Sequence, residues 1–176
     1  LITILIMNNF PANCPGWLLK RIDDMGGNIS FYDYMDITLN DPINGYYGSG
    51  KAKLGIGGDF VTSPSMSNEF AILLSEQIRD WLEQLSRYYV ASEKFTILEF
   101  GAGDGSFMKD LIDCFFINNK DLLNKISFLI VETNLGMLKK QKVNLKKFLD
   151  LGIDITWSDL KQIHNNSING IVIAHE

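Results

Sequence analysis

A short apolar run that passes directly into three regularly spaced glycines constrains the fold of this chain more than any other feature. The stretch reads Ile-Leu-Glu-Phe-Gly-Ala-Gly-Asp-Gly over residues 97–105, with glycine at every second position from Gly101 to Gly105. A turn of small residues between a strand and a helix lets a ligand lie against the backbone, at the edge where open α/β sheets bind their ligands. The pattern therefore predicts a ligand site here, although a tight turn that needs glycine only for its geometry would have the same sequence.

The rest of the chain alternates between apolar runs with strand character and segments with helical spacing. Predicted strands cover residues 96–100, 127–132, 154–157 and 170–174, and predicted helices cover residues 106–116 and 135–149. Strands that alternate with helices are typical of a parallel, doubly wound sheet, so the predicted class is α/β with a Rossmann-like sheet. The last strand is continuously apolar, which predicts that it is covered on both faces.

The residues before this sheet predict helices joined by glycine-rich loops. A short helix is expected over residues 15–25, a second after Ser30, and an ordered loop region over residues 41–65. Apolar residues then recur at spacings of three and four, which predicts an amphipathic helix over residues 67–89. We expect this helix to pack on the sheet through four side chains, Phe70, Leu74, Ile78 and Trp81. Residues 1–90 are thus predicted to be an extension that caps the ligand site, and residues 91–176 to be the sheet domain.

The composition argues against several function classes. A net charge of −5 disfavours a general nucleic-acid binder, which would normally be basic. Cys14 and Cys114 form no Cys/His cluster, so no metal site is predicted. The apolar residues 1–7 are too few to span a membrane and lack the basic region of a signal peptide, and Met7 is the predicted natural start. We therefore expect a soluble, cytoplasmic protein with no membrane partner.

Two ligand classes use glycine turns of this kind. The dinucleotide pattern GxGxxG places its third glycine one position later than Gly105, and the Asp104 carboxylate would repel a pyrophosphate. Acids at Glu99 and Asp104 suit a cationic ligand such as S-adenosylmethionine better. Glu132 ends the second predicted strand, where a carboxylate can accept hydrogen bonds from ribose hydroxyls in either class. A nicotinamide-dependent oxidoreductase domain is therefore the less favoured alternative.

Four segments together resemble the MidA-like family of class I S-adenosylmethionine-dependent methyltransferases, whose mitochondrial members help assemble respiratory complex I. They are Phe-Tyr-Asp-Tyr-Met at 31–35, Asp41-Pro42 with Gly-Tyr-Tyr at 45–47, Gly-Asp-Phe-Val-Thr-Ser-Pro-Ser at 58–65, and the glycine turn with its preceding strand. The resemblance covers about residues 17–176. It implies S-adenosylmethionine as cofactor and methylation of a protein arginine side chain, and the net charge already argues against nucleic acid as a partner.

The resemblance also assigns roles to individual residues. The cofactor would be held by the turn residues Gly101, Ala102, Gly103, Asp104 and Gly105, together with Glu99, Glu132, Thr62 and Ser63. Thr62 and Ser63 are equally well explained as a local turn cap. Glu176 would orient the arginine nucleophile, and His175 would be a base.

The chain departs from the family at its end. The family usually has Asn-Glu where this chain has His175-Glu176, and its members continue well beyond that point. The resemblance therefore implies the first half of the sheet, about four strands, in a truncated chain that is catalytically inactive alone. Its partner would be a second copy or the C-terminal half. A non-catalytic binding or assembly protein on a methyltransferase scaffold is the second alternative.

Overall fold

The computed structural model describes residues 14–88 and 94–175, within which the chain forms eight α-helices and four strands. The helices are α1 (Gly16–Asp24), α2 (Phe31–Asn40), α3 (Ser63–Met66), α4 (Glu69–Leu85), α5 (Ser106–Asn118), α6 (Lys120–Leu123), α7 (Leu135–Asn144) and α8 (Lys146–Asp150). The strands are β1 (Phe95–Phe100), β2 (Ile126–Val131), β3 (Ile155–Ser158) and β4 (Gly170–Ala174), and a 3-10 turn covers Leu160–Gln162. The predicted start at Met7 lies outside the described residues.

The chain divides into two compact units. One comprises residues 1–52 with 134–136, and the other residues 53–133 with 137–176. The division falls after Ala52, whereas the sequence analysis places it after residue 90, so α4 belongs to the same unit as the sheet.

The first unit contains α1 and α2 around a small apolar cluster of Leu18, Ile22 and Ile29. The helix predicted over residues 15–25 is confirmed, and it ends where Gly26 and Gly27 take φ angles of 92° and 80°. Ser30 begins α2 because its hydroxyl oxygen accepts a hydrogen bond from the Asp33 backbone N–H at 3.1 Å.

The second unit is built on a four-stranded parallel sheet with the strand order β3-β2-β1-β4. This confirms the predicted α/β class. β1 is hydrogen-bonded on both sides, with Glu99 level with Ile130 of β2 and with Ile173 of β4. The carboxyl ends of β1, β2 and β4 therefore meet at one edge of the sheet, which is the edge that carries the glycine turn.

The main core lies between this sheet and its helices. α5 contributes the most buried side chains of any helix in the described part of the chain, because apolar residues cover most of its circumference: Phe107, Met108, Leu111, Ile112, Cys114 and Phe115. α5 and the strands on either side of it are therefore held by burial of apolar surface, which contributes about 25 cal/mol per Å².

Three sequence-based expectations about packing need correction. Trp81 of α4 is 43% exposed, because the buried stripe of this helix runs through Ala71, Ser75, Ile78 and Leu82. β4 is not covered on both faces, since it forms an edge of the sheet in the described structure and Val172 is 54% exposed. The helix predicted over residues 135–149 is divided into α7 and α8 at Leu145.

Candidate functional site

The turn after β1 requires glycine at all three of its glycine positions. Gly101, Gly103 and Gly105 have φ angles of 61°, 56° and 84°, in the left-handed region that other residues adopt at a cost. The turn is pinned to the sheet because the Gly101 N–H donates to the Val131 carbonyl at 3.0 Å. A Cβ atom at Gly103 would lie 2.8 Å from Cδ1 of Leu54. The turn thus presents bare backbone at the carboxyl end of the central strand.

Glu99 is a buried acid directly before this turn. The residue is 5% exposed, and its Oε2 has no hydrogen-bond partner among the residues that the structure describes. Burial, with a smaller contribution from the nearby Asp104 charge, raises the pKa of Glu99 to about 8. A buried polar atom without a partner is rare in folded proteins, which makes this oxygen a candidate acceptor for a polar group of a ligand.

Asp104 has a local structural role in the turn. Its Oδ1 accepts a hydrogen bond from the Ser106 backbone N–H at 3.0 Å, at the start of α5. This contact satisfies one of the backbone donors that a helix leaves open at its N-terminus. The carboxylate also adds negative charge beside Glu99. The second effect was predictable from the acidic residues around the turn, whereas the first depends on the backbone geometry at the start of α5.

Glu132 lies one residue beyond β2, at the same edge of the sheet. Its Oε2 accepts a hydrogen bond from Nε2 of Gln141 at 2.9 Å, and the same nitrogen donates to the Gly103 carbonyl at 2.9 Å. The structure therefore brings together the predicted turn residues and Glu132 through a side chain that the sequence analysis did not select.

Gln141 was not predicted, because the lysine-rich sequence around it is typical of a solvent-exposed helix. A signal was present, since Met137, Gln141 and Leu145 recur at intervals of four and all three are buried in the structure. A polar residue that recurs with apolar residues at helical spacing indicates a buried side chain that needs hydrogen-bond partners.

Thr62 and Ser63 stand at the start of α3. The Thr62 N–H donates to the Ser65 hydroxyl oxygen at 2.8 Å, as expected for a local cap. The cap interpretation therefore has a contact to support it. Next to this turn, a cleft of about 220 Å³ is lined by Leu54, by Pro64 of α3 and, on the side of α5, by Asp104, Ser106 and Lys109.

His175 follows β4, whose carboxyl end lies beside that of β1 because Ala174 is level with Phe100. The imidazole packs against the Phe70 ring, with ring centroids 5.0 Å apart. Glu176, the other predicted catalytic residue, lies outside the described residues. The structure thus places His175 at the edge of the sheet that carries the glycine turn.

Neither a metal site nor a membrane span occurs within residues 14–88 and 94–175. No three His, Cys, Asp or Glu side chains come together there as a metal site would require. No helix in these ranges combines the length and apolarity needed to cross a membrane.

Comparison with known proteins shows the family to which the chain belongs. A family model of S-adenosyl-L-methionine-dependent methyltransferases matches residues 73–176, the part of the chain that contains most of α4, the sheet and the glycine turn. The chain belongs to the MidA-like family of S-adenosylmethionine-dependent methyltransferases. The expected class of cofactor is thereby confirmed, and the dinucleotide alternative is set aside.

Curated relatives support the same family. The chain is 28% identical over 171 residues to "Protein arginine methyltransferase NDUFAF7, mitochondrial" of Bos taurus, covering 85% of this chain and 37% of the relative. The Homo sapiens protein of the same name is 32% identical over 130 residues, covering 69% of this chain and 28% of the relative. The chain thus spans well under half the length of these relatives.

A solved structure resembles the chain over most of its length. It is a crystal structure of a protein from Burkholderia thailandensis bound to S-adenosyl-homocysteine, with a TM-score of 0.66 and 26% sequence identity. The alignment covers 90% of this chain and 39% of the other. The shared fold therefore includes the sheet edge that carries the glycine turn.

The expectation of a cytoplasmic protein is wrong. The curated relatives from Danio rerio, Bos taurus and Homo sapiens are all named as mitochondrial proteins. The expectation had rested on the absence of a signal peptide and of a membrane span, and neither absence carries information about an organelle.

Proposed function

We propose that the protein carrying this chain transfers a methyl group from S-adenosylmethionine to arginine side chains of a protein substrate in mitochondria. This chain supplies the part that holds the cofactor. One observation carries the proposal: the buried Glu99 carboxyl, with an oxygen that has no partner in the described structure, directly precedes a turn of three glycines in left-handed conformation. The names of the mitochondrial relatives supply the substrate class.

The residues present fit this cofactor. S-adenosylmethionine carries a cationic α-amino group, a carboxylate, two ribose hydroxyls and an electrophilic methyl group on a sulfonium, and it has no phosphate. The unpaired Glu99 oxygen would accept a hydrogen bond from the amino group, directly or through water. The open space beside the Gly101 backbone would admit the methionine part, and Glu132 would accept hydrogen bonds from the ribose.

The remaining roles follow from position. Asp104 holds the start of α5 through the Ser106 N–H and adds negative charge that favours a cationic ligand. Ala102 is 8% exposed and keeps the turn packed on the core. Thr62 would reach the cofactor carboxylate only after exchanging its local cap contacts with Ser65, and Ser63 is the next residue of the same turn.

Methylation of a guanidinium requires a positioned nucleophile and the loss of one proton. Holding the nucleophile in line with the methyl group and excluding water provide most of the rate increase in such a displacement. Glu176 is the predicted residue for orienting the guanidinium. His175, at the carboxyl end of β4, is the candidate acceptor for the proton.

The test uses the full-length protein with labelled S-adenosylmethionine and a mitochondrial extract. Label on arginine after hydrolysis of the proteins is expected. Glu132→Ala should reduce labelling at least about tenfold, since it removes a charge-assisted contact to the cofactor. Asp150→Asn is the matched control, because Asp150 ends α8 and pairs only with the exposed Lys146 in the described contacts. Label on another residue type would contradict the assignment of arginine as the methyl acceptor. Absence of label with the wild-type protein and with both variants would contradict the proposed methyltransferase activity.

A further inference from the structure

The Gln141 side chain is completely buried and connects three segments that are far apart in the sequence. Its Nε2 lies 2.9 Å from the Gly103 carbonyl and 2.9 Å from Glu132 Oε2, and its Oε1 lies 2.9 Å from Nε1 of Trp157. The first partner is in the glycine turn, the second follows β2, and the third is in β3. One amide on α7 therefore joins the two places that would hold different ends of the cofactor.

The chemistry of the partners determines the orientation of this amide. An indole N–H can only donate, so the Trp157 ring must face the amide oxygen. A backbone carbonyl and a carboxylate can only accept, so both must face the amide NH₂ group, which has two hydrogens for two acceptors. A flipped amide would lose all three hydrogen bonds and bring its oxygen against a carboxylate. The Gln141 amide is consequently held in a single orientation.

α7 makes further contacts with the same turn. Asn144, three residues after Gln141, donates from Nδ2 to the Asp104 carbonyl at 2.9 Å. A Cβ atom at Gly105 would lie 3.3 Å from the Gln141 Cα atom, so the helix backbone packs closely on the turn. The turn is thus supported from one side by α7 and is not a loop that adjusts freely.

We propose that Gln141 is a positioning residue that sets the orientation of the Glu132 carboxylate for the ribose hydroxyls and ties it to the glycine turn. This inference rests on the proposed cofactor site. Because a carboxylate can rotate about its last bond, a fixed donor on Oε2 determines where its other lone pairs point. Trp157 contributes indirectly, because its indole N–H donates to the amide oxygen of Gln141 and holds that amide in place.

The test compares two ligands on the full-length protein by calorimetric or competition titration. The ligands are S-adenosylhomocysteine and its analogue that lacks the 2′- and 3′-hydroxyls. Gln141→Met keeps the length and apolar packing of the side chain and removes its hydrogen bonds. We expect affinity for S-adenosylhomocysteine to fall about tenfold to a hundredfold, as for loss of a bond to a charged group. Affinity for the dideoxy analogue should change less than about twofold, since that ligand has no hydroxyls for Glu132 to hold.

Gln84→Met is the matched control, because it makes the same substitution at an exposed position on α4. It should leave both affinities unchanged. Trp157→Phe keeps a ring in place while removing the donor, and it should cause a smaller loss, about threefold, that is again confined to the ligand with hydroxyls. This second variant decides the question if Gln141→Met does not fold.

The outcomes separate this inference from the proposed function. A loss confined to S-adenosylhomocysteine, with a raised KM for S-adenosylmethionine and a nearly unchanged kcat, supports the positioning role. Equal losses for both ligands, or none, overturn it while leaving the cofactor assignment intact. Failure of the wild-type protein to bind S-adenosylhomocysteine overturns both.

Discussion

β1 and β4 are neighbouring strands with similar apolar sequences and different environments. Leu98 of β1 and Val172 of β4 are level with each other in the sheet, yet Leu98 is 2% exposed and Val172 is 54% exposed. β1 is hydrogen-bonded on both sides, whereas β4 is an edge strand in the described structure. The two strands differ in their place in the sheet, which the apolar runs do not encode.

The comparison also explains why one polar residue is informative. Glu99 stands in β1 level with Ile173 of β4, so an acid occupies a position in the central strand where an apolar residue would be expected. Burying a carboxyl group without a partner is costly, and here the cost shows as a pKa raised to about 8. The same acid on the exposed part of β4 would carry no such information.

The largest effect is expected from shortening Leu98, the buried residue of the Leu98–Val172 pair. Leu98→Ala should lower the free energy of unfolding by about 2–5 kcal/mol, because the removed methyl groups leave a cavity in a closely packed core. Denaturant titration followed by circular dichroism measures this value. A loss below about 1 kcal/mol would mean that β1 is no better packed than the edge strand.

The next largest effect is expected in the turn that follows β1. Gly103→Val should lower the affinity for S-adenosylhomocysteine at least about a hundredfold, since a β-branched side chain is strained at a φ of 56° and would contact Leu54. Isothermal titration calorimetry of the folded variant measures this.

Gly152→Val provides the control for this variant. Gly152 has a φ of 77° with open space where a side chain would begin, and it precedes β3 at the opposite edge of the sheet. It should suffer a similar backbone strain and keep its ligand affinity. Equal loss of binding in both variants would show that the effect comes from destabilisation.

A smaller effect is expected from the charge on Glu99. Its folded pKa of about 8 lies above its ordinary value of 4.5, so the unliganded protein should lose stability as the pH rises through this interval. A cationic amino group binds the ionised form, so ligand binding below pH 8 should release a proton. The affinity for S-adenosylhomocysteine should then rise about tenfold per pH unit from roughly pH 6 to 8.

The proton linkage is checked by measuring Kd at several pH values and the binding enthalpy in two buffers. Glu99→Gln should bind more weakly at about pH 8 and show a flatter dependence. A wild-type affinity that does not change with pH would rule out contact between the Glu99 carboxylate and the ligand cation.

The smallest effect is expected at Val172, the exposed residue of the Leu98–Val172 pair. Val172→Ala should cost less than about 1 kcal/mol in the 176-residue chain, because half of this side chain is already in water. Denaturant titration beside Leu98→Ala gives the direct comparison. A loss similar to that of Leu98→Ala in a longer protein containing this chain would show that another element covers β4 there.

The sequence predicted much of the fold because its signals are local. The four strands, α5 and the glycine turn follow from apolar runs, helical spacing and glycine placement within about a dozen neighbouring residues. Predicting Trp81 in the interior failed because two overlapping apolar stripes fit α4, and only contact with α5 and the sheet selects the one through Leu82.

What the sequence determined by itself is the set of elements and the chemistry of the turn after β1. Glycine is needed there because the required φ angles are a property of the backbone at single positions. What only the tertiary structure decided is which polar groups meet. Gln141 reaches Gly103 across 38 positions of sequence, and Glu99 is buried in a strand that pairs with β2 on one side and β4 on the other. Burial and hydrogen-bond partners depend on segments that are distant along the chain, and local patterns carry no record of that proximity.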